Sequence, residues 1–461
     1  MNGETKLRVA IVGHTNTGKT SLLRTLTRDV AFGEISARPG TTRHVEATSL
    51  MVGGRPRVEL YDTPGLEDSA TLLALLEEHR ERGDGIDRIR AFLDSAAARG
   101  ELEQEAKVLR QVLDSDVLLY VIDAREPMLG RHRDELTVLG LAARPLIPVL
   151  NFTGSGESRE AAWREHLARI GLHAVVAFDT VLFDPADERR LYEAVQAMLA
   201  PQYELLQQLI EEREAAWQAL KRSAAATVAD LLVDAASAAR RVREANAAEM
   251  KAQSALLQER VREREQRCIR QLMELFAFRS EDVVAERLAI EDGRWRMDLF
   301  APETLRRFGL SAGTGAVKGA AVGVGIDVIT GGLSLGMAAT LGATIGALWS
   351  TVDRFGRRLL DRLRGYVDLR VDENTLRLLA ARELQLIDAL LRRGHASLSQ
   401  VELKGDAARA PWQGADLPAA LRRARHHPEW STLTAPVAPV PEAERAAALH
   451  ALQEELLQRL G

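Results

Sequence analysis

Residues 13–20 form the segment that most restricts the fold of this chain. Their sequence is GHTNTGKT, which meets the spacing G-x-x-x-x-G-K-[S/T] at Gly13, Gly18, Lys19 and Thr20. A short apolar run, Leu7–Val12, precedes the segment, and the helix-forming stretch SLLRTLTRD follows it directly. A glycine-rich loop between a strand and a helix points successive backbone N–H groups at phosphate oxygens. The segment therefore predicts a phosphate-binding loop in an α/β domain.

The residues of this loop have separate expected roles. Gly13 and Gly18 would let the backbone approach the phosphates closely, and Lys19 would reach the β- and γ-phosphates. The Thr20 hydroxyl would coordinate Mg²⁺. The remaining residues of the loop that we expect to contact a nucleotide are His14, Thr15, Asn16, Thr17 and Ser21.

A second element, DTPG, follows the apolar run Val58–Tyr61. It consists of Asp62, Thr63, Pro64 and Gly65. An aspartate at the end of such a strand can hold Mg²⁺ through a water, and the Gly65 N–H can contact the γ-phosphate. Alone, these four residues would be an ordinary turn, but downstream of a phosphate loop they predict a second part of the same site.

A third element, RPGTTR at residues 38–43, lies between the first predicted helix and the second predicted strand. In a switch loop, one threonine supplies a hydroxyl to Mg²⁺ only when the γ-phosphate is present. We therefore expect Thr41 and Thr42 to take part in nucleotide binding, and the order of this loop to depend on the nucleotide.

Residues 1–200 alternate short runs of Val, Ile and Leu with helix-like stretches. This pattern predicts an α/β domain with a mostly parallel sheet and helices on both faces. The predicted strands are Leu7–Val12, Val45–Val52, Val58–Tyr61, Val117–Ile122, Leu146–Leu150 and Ala174–Phe178. The stretch at about 67–115 is interpreted as a helical insertion. It is either a packed decoration of the domain or a lever or partner site controlled by nucleotide.

The rest of the chain is predicted to be mainly α-helical. Neither Pro nor Gly occurs between Gln202 and Glu291, so residues 201–307 are expected to form long helices. These helices would form a bundle or a stalk for self-assembly. Residues 353–461 are expected to contain basic helices, a proline-rich linker near Thr434–Pro441 and a final helix at Glu442–Leu460.

Residues 308–352 are glycine-rich and apolar, with Lys318 and Asp327 as their only charged residues. They predict a helical hairpin with Phe308–Ile326 as its first arm and Asp327 near its tip. The second arm, Val328–Val352, is long enough to cross a bilayer, and small residues at every fourth position would let the two arms pack closely. Lys318 opposes insertion, so a tightly packed soluble hairpin is the alternative.

The composition limits the setting in which the chain works. Its formal net charge of −5 argues against a chain-wide attraction to nucleic acid, and we find no clear nucleic-acid-binding module. Cys268 is the only cysteine, so no internal disulfide can form, which fits a reducing cytosol. The first residues read as a strand rather than a signal peptide. We expect a cytoplasmic protein, with contact to the inner face of the cytoplasmic membrane as an option.

Taken together, the segments GHTNTGKT, RPGTTRHV and DTPGL resemble those of the TrmE–Era group of translation-factor-class GTPases. The resemblance covers about residues 5–180. The whole chain resembles an uncharacterised bacterial family in which such a G domain precedes a long helical domain of unknown function. It implies an enzyme that hydrolyses GTP to GDP and phosphate as a Mg²⁺-dependent switch.

Two roles are implied residue by residue. In TrmE-like enzymes, the asparagine at the position of Asn16 helps to bind K⁺ beside the phosphates, and Thr41 lies in the loop that completes the ion site. Thr42 takes the position of the Mg²⁺ ligand. Lys19, Asn16 and Thr42 are thus the expected catalytic residues, while Leu66 stands where Ras-type enzymes have a catalytic glutamine. Leucine cannot orient water, so a bound K⁺ would supply the missing charge.

The base-binding motif departs from the pattern of the group. Where N-K-x-D is expected, the chain reads NFTG, with Asn151 and Phe152 as the predicted base contacts and Gly154 in place of the aspartate. Losing that carboxylate removes much of the discrimination for guanine over adenine. Phe152 would still cover the base by stacking, and Asp179 is a hypothetical substitute for the missing carboxylate.

Three functions follow from these features. The first is a GTP hydrolase that binds guanine nucleotide as a switch. The second is a membrane-associated assembly or scaffold protein, in which self-association through the G domain or the helices is controlled by nucleotide. The third, an RNA-modification or ribosome-assembly GTPase, rests on analogy with the group alone.

Overall fold

The computed structural model describes residues 6–28, 45–276, 290–291, 294–310, 323–329, 365–392, 410–434 and 442–460. The third predicted element, residues 38–43, lies outside these ranges, as does most of 308–352. The chain forms two compact units. The first is Met1–Gln218 with Leu391–Ser399, and the second is Ala219–Leu390 with Gln400–Gly461.

The first unit contains a six-stranded sheet with the strand order β2-β3-β1-β4-β5-β6. β2 is antiparallel to β3, and the other neighbours are parallel. This confirms the predicted mostly parallel sheet. The strands are β1 (Leu7–Val12), β2 (Glu46–Val52), β3 (Arg55–Asp62), β4 (Val117–Asp123), β5 (Leu146–Asn151) and β6 (Val176–Ala177).

Helices cover both faces of this sheet, and each face has its own apolar core. Every residue of β5 is buried, because a strand covered on both sides needs apolar side chains in both directions. The helices are α1 (Lys19–Thr27), α2 (Ser69–Glu78), α3 (Gly85–Leu93), α4 (Glu103–Leu113), α5 (Gly130–Gly140), α6 (Glu160–Arg169) and α7 (Pro185–Met198).

The predicted helical insertion contains α2, α3 and α4. Asp68 begins α2 by accepting from the Thr71 N–H at 3.0 Å, and Asp84 begins α3 in the same way with Asp87. Leu72 of α2 is fully buried in the core on one face of the sheet, together with residues of α3 and α4. The insertion is therefore packed into the domain in this structure.

The second unit combines long helices with short strands. α8 (Tyr203–Ser237) begins in the first unit and continues into the second. The remaining helices are α9 (Ala247–Leu275), α10 (Pro302–Arg307), α11 (Glu373–Leu391), α12 (Ala419–Ala424) and α13 (Glu442–Leu460). The strands are β7 (Ala239–Arg243), β8 (Ile290–Glu291), β9 (Arg294–Trp295), β10 (Ile326–Ile329) and β11 (Tyr366–Val371). α13 has the predicted bounds.

Residues 201–307 contain the long helices α8 and α9, in line with the expectation, but they also contain a strand that was not expected, β7. This strand pairs with β11 in a three-stranded sheet of order β10-β11-β7. Its residues, ARRVR, favour helix by composition, but Val242 is fully buried and the backbone pairs with a strand from much later in the chain. Tertiary pairing overrides local propensity here.

The predicted helical hairpin is also wrong where the structure describes it. Ile326–Ile329 form β10, and Asp327 stands opposite Arg370 in the ladder rather than at a hairpin tip. The Asp327 carboxylate is 3.7 Å from the guanidinium of Arg425. Residues 330–352, which include most of the predicted second arm, lie outside the described ranges. Within those ranges, every helix is too short or too polar to cross a membrane.

Candidate nucleotide site

The phosphate loop follows β1 in the interior of the sheet. β1 lies between β3 and β4, and both run parallel to it. Ile11 of β1 pairs with Asp62 of β3, so the end of β3 lies beside the start of the loop. The carboxyl ends of parallel strands form the edge at which open α/β sheets bind ligands. The topology therefore brings the GHTNTGKT and DTPG segments together.

Two glycines of the loop leave no room for a side chain. Gly13 has φ 144°, and a Cβ atom there would stand 2.5 Å from the Val121 carbonyl oxygen. Gly18 has φ 93°, and a Cβ atom there would stand 2.2 Å from Asn151 Nδ2. Both φ values are ones that glycine adopts without strain. The loop backbone is thus packed directly against the ends of β4 and β5.

Lys19 begins α1, and its side chain folds back over the loop. Its Nζ donates to the carbonyl oxygens of Gly13 at 3.0 Å and His14 at 2.7 Å. Burial lowers the pKa of Lys19 to about 8, while nearby carboxylates, led by Asp62, oppose this shift. No acidic residue occurs in the first turn of α1, so the positive end of the helix dipole is not offset there. A phosphate group at this end of α1 would offset the positive charge of the helix dipole.

Thr20 and Asp62 are the two expected Mg²⁺ ligands that the structure describes, and they are in contact. Thr20 Oγ1 donates to Asp62 Oδ2 at 2.6 Å. Asp62 is buried at the end of β3. A hydroxyl and a carboxylate are the oxygen donors that Mg²⁺ takes alongside phosphate oxygens. This donor set fits Mg²⁺, and Thr41 and Thr42 lie outside the described residues.

The DTPG segment is held against the phosphate loop. Thr63 Oγ1 donates to the Ile11 carbonyl oxygen at 2.8 Å, and Pro64 is buried. A Cβ atom on Gly65 would stand 2.2 Å from Thr15 Oγ1 and 2.7 Å from the Thr15 backbone nitrogen. Gly65 therefore lies directly on the loop, where its N–H can contact a γ-phosphate.

The other predicted loop residues lie around these groups. Thr17 is buried, and its Oγ1 donates to the His14 carbonyl oxygen at 3.0 Å. Asn16 is exposed and has φ 66°, a left-handed conformation that asparagine tolerates better than most residues. Ser21 is partly exposed in the first turn of α1. The exposed position of Asn16 leaves it open to a ligand of the loop.

Sequence reasoning missed a contact between the loop and α5. His14 Nδ1 is 2.8 Å from the Leu66 carbonyl oxygen and 3.0 Å from Glu135 Oε1. Both partners accept, so Nδ1 must carry the hydrogen. Tyr120 donates to the other oxygen of Glu135 at 2.6 Å, and burial, followed by the charge of Glu135, raises the pKa of Tyr120. Glu135 follows the polar run Arg131–Asp134, so the sequence carries no signal that this glutamate is buried.

Asn151 joins three parts of the site and is fully buried. Its Nδ2 donates to the Thr17 carbonyl oxygen at 3.0 Å, and its Oδ1 accepts from the N–H of Thr180 at 3.0 Å. It therefore braces the phosphate loop against the loop after β6. Its neighbour Phe152 has φ 59°, and the Arg125 guanidinium lies 4.1 Å from the centre of its ring.

Asp179 organises the loop in which the missing aspartate would stand. Its Oδ2 accepts from the Gly154 N–H at 2.8 Å, and its Oδ1 accepts from Val181 at 2.8 Å and Leu182 at 3.0 Å. A Cβ atom on Gly154 would stand 2.5 Å from Leu182 Cδ1 and 3.2 Å from Asp179 Oδ2. An aspartate at 154 would require the partly exposed Leu182 side chain to turn away. The Asp179 carboxylate therefore lies beside position 154, where the N-K-x-D pattern has its aspartate.

Comparison with known proteins gives two family matches. Residues 8–152 match the family described as 50S ribosome-binding GTPase, and residues 164–454 match the family described as Domain of unknown function (DUF3482). The second match alone covers more than half of the chain. The order of the two matches is the order that the sequence resemblance implies.

Curated relatives match the first part of the chain. The tRNA modification GTPase MnmE of Synechococcus elongatus is 27% identical over 213 residues, which cover 42% of this chain and 44% of that protein. The MnmE protein of a Synechocystis species is 33% identical over 142 residues, with 30% of each chain covered. The chain therefore spans less than half the length of these relatives.

Among solved structures, the Era protein of Aquifex aeolicus bound to GDP and AlF4⁻ is 23% identical, with a TM-score of 0.30 over 42% of this chain and 56% of that chain. The family match over residues 8–152 and the phosphate-loop geometry agree on a P-loop GTPase domain in the first part of the chain. The family model of the domain of unknown function DUF3482 matches residues 164–454, which include the mainly helical C-terminal region. Because this match covers more than half of the chain, the chain belongs to that family.

Proposed function

We propose that this protein binds GTP and hydrolyses it to GDP and phosphate, and that the bound nucleotide acts as a switch. The observation that supports this proposal most is the arrangement at the start of α1. There Lys19 is buried among carbonyl groups, Thr20 meets the carboxylate of Asp62, and Gly65 lies against the loop. These groups come from two separate segments and converge where a triphosphate would lie.

Each group has a distinct task in this reaction. Water attacks the γ-phosphate in line with the leaving oxygen, and negative charge on the phosphate oxygens must be balanced. Lys19 and the N–H groups of the loop would bind those oxygens. Mg²⁺, when bound, would neutralise charge between the β- and γ-phosphates, and Thr20, Asp62 and Thr42 would hold it. The Gly65 N–H would report the presence of the γ-phosphate.

K⁺ is proposed as the second cation, because Leu66 offers no group that could orient water. The Leu66 side chain is fully buried in the core. Asn16, exposed at the tip of the loop, and Thr41 would bind K⁺ beside the phosphates. Hydrolysis should then be faster in KCl than in NaCl, and Asn16→Ala should remove the difference. Equal rates of the original protein in both salts would contradict this part of the proposal.

The test of the main proposal is GTP hydrolysis by Lys19→Ala, with Lys6→Ala as its control. Lys6 is a surface lysine in a pair with Glu59, and exposed pairs of this kind contribute little. Losing a group that binds the transferred phosphate should lower turnover at least about 100-fold, as loss of one charge-stabilising donor does in other enzymes. Lys6→Ala should keep the original rate. Equal rates in the two variants would overturn the proposal.

The output of the switch remains a prediction from the sequence. Membrane association through residues 308–352 and self-association through the G domain or the helices are the two forms proposed for a cytoplasmic switch protein. Sedimentation with lipid vesicles in the presence of GTP or GDP would test the first. Turnover per molecule that rises with protein concentration would support the second, and a constant turnover would contradict it.

A further inference from the structure

The second unit contains a cavity of about 420 Å³ that has no part in the proposed nucleotide site. Its lining residues come from β7, one face of α9 and the segment after α12. They are Arg240, Arg260, Glu263, Arg267 and Thr432, Leu433 and Thr434. A volume of this size is typical of small-ligand sites.

The walls of the cavity are held in place by ordinary packing and hydrogen bonds. Arg260, Glu263 and Arg267 follow one another at spacings of three and four residues, so they share one face of α9. Arg240 lies on β7, opposite Leu369 of β11. Asp234 of α8 holds Thr432, accepting from its N–H at 2.6 Å and its hydroxyl at 2.7 Å.

The lining is strongly positive, with three guanidinium groups and one carboxylate. Glu263 pairs with Arg260 at 3.2 Å, and both side chains are about half exposed. Arg267 makes no ion pair with any residue that the structure describes. Three positive charges and one negative charge leave a local excess of two positive charges.

Arg240 is the lining residue whose guanidinium group is least well compensated. One of its terminal nitrogens donates to Gln253 at 2.9 Å, whereas its Nε is buried without a hydrogen-bond acceptor among the described residues. A buried donor without an acceptor costs free energy. Burial, followed by the charge of Arg260, lowers the pKa of Arg240. An anion in the cavity would relieve this repulsion between guanidinium groups.

We propose that the cavity bounded by Arg240, Arg260 and Arg267 binds a phosphate monoester group. The planar guanidinium fork matches phosphate oxygens in pairs, and a phosphate monoester carries about −1.5 to −2 charges at pH 7, which equals the local excess. The Thr434 hydroxyl adds a further donor to the lining. The site is separate from the phosphate loop and lies in the part of the chain with no assigned function.

The experiment is a calorimetric titration of inorganic phosphate into the full-length protein saturated with GDP. The double variant Arg260→Gln/Arg267→Gln should bind phosphate at least about tenfold more weakly, since hydrogen bonds to charged groups are among the strongest. Glu263→Gln should bind it more tightly, because the competing carboxylate is gone. Arg270→Gln, which removes an exposed arginine from α9 outside the lining, should match the original protein.

A second arm identifies the source of the phosphate group. Vesicles of phosphatidylcholine with and without phosphatidic acid are sedimented with the original protein and with the double variant. Binding to phosphatidic acid that the double variant loses assigns the site to a lipid headgroup, and phosphate binding without vesicle binding assigns it to a soluble ester. The proposal is overturned if neither probe binds, or if both bind the original protein and the double variant equally.

These outcomes are independent of the proposed GTP hydrolysis. The substituted arginines lie far along the chain from the phosphate loop, and every titration compares variants with the same loop. A chain that failed to bind GDP would still show the difference between the original protein and the double variant. The Glu263→Gln variant, which removes a negative charge, also predicts a change in the opposite direction, which general misfolding cannot produce.

Discussion

Gly65 of the DTPG segment lies directly against Thr15 of the phosphate loop, and adding one methyl group at Gly65 tests this contact. Gly65→Ala would bring a Cβ atom to 2.2 Å from Thr15 Oγ1 and 2.7 Å from the Thr15 backbone nitrogen. The phosphate loop or the DTPG segment must then move. Because the Gly65 N–H is expected at the γ-phosphate, we expect GTP turnover to fall by at least about tenfold and GDP affinity to change less.

Gly130→Ala is the matched control for this substitution. Gly130 begins α5, and a Cβ atom there would meet nothing within 4 Å. The alanine should leave both turnover and GDP affinity unchanged. A Gly65→Ala protein with the turnover of the Gly130→Ala protein would mean that the DTPG segment does not act on the γ-phosphate.

At the scale of single residues, the sequence predicts the positions of some site residues but not the contacts of others. Lys19 and Thr20 could be placed because the spacing of one loop fixes them relative to each other. The contact of His14 with Glu135 joins positions 121 residues apart, and it depends on how α5 packs beside β4. Asn151 remains a predicted base contact, and its hydrogen bonds to Thr17 and Thr180 give it a second role in bracing loops, which no local pattern encodes.

Among the elements, α8 and α9 are joined by a buried aspartate. Asp234 is 1% exposed and accepts from Ser431, from Thr432 and from Arg264 Nε at 3.0 Å. Asp234→Ala should lower the free energy of unfolding of the second unit by about 3–5 kcal/mol, because it leaves the Arg264 charge buried with less compensation. Urea unfolding monitored by circular dichroism measures this loss.

Asp230, one turn earlier on α8, provides the comparison. Its carboxylate contacts Arg264 and Arg445, but its side chain is 41% exposed. Solvent screens such a pair, so Asp230→Ala should cost clearly less than Asp234→Ala. Equal losses in the two variants would show that burial does not determine the strength of this junction.

Glu383 is expected to make the free energy of unfolding of the second unit depend on pH. It is buried beside Arg382, and Trp295 Nε1 donates to it at 3.4 Å. Burial, followed by the charge of Glu265, raises the pKa of Glu383 to about 8, from an ordinary value of 4.5. Between these two values the unfolded chain has lost the proton and the folded chain keeps it. The stability contribution is therefore full below the lower value and declines as pH rises to the higher one.

The expected slope is at most about 1.4 kcal/mol per pH unit for this one proton. Glu383→Gln should remove that slope, while Glu274→Gln, an exposed change on α9, should retain it. Urea unfolding of the three proteins at about pH 5, 6.5 and 8 is the measurement. A wild-type stability that rose across this range, or a slope that survived in Glu383→Gln, would show that Glu383 is ionised in the folded state.

The strands also show which elements local sequence can predict. All six strands of the first unit were predicted within a few residues, because each is a short apolar run in a regular alternation with helices. β7 was missed because its partner β11 lies more than one hundred residues away, as the contact of Arg241 with Asp368 across 127 positions shows. β10 was missed because its residues form part of a long apolar stretch whose composition favoured a helical hairpin.

On the scale of the whole molecule, the two units differ in how far their function follows from their sequence. The first unit has a phosphate site whose parts are recognisable by spacing and whose geometry agrees with that spacing. The second unit has no such motif, and its candidate site became visible only when β7, α9 and the segment at Thr432–Thr434 were placed together. A switch protein needs both a nucleotide site and a region that responds, so the second unit is where an effector is expected.

Base selection is the most direct test of the central claim that this is a GTP-driven switch. The base loop reads NFTG in place of N-K-x-D, and Asp179 is the carboxylate that lies beside Gly154. The measurement is a calorimetric titration of the purified protein with GDP and, separately, with ADP, in KCl with Mg²⁺. We predict tight binding of GDP and at least about tenfold weaker binding of ADP. Equal affinities, or no binding of GDP, would contradict the account.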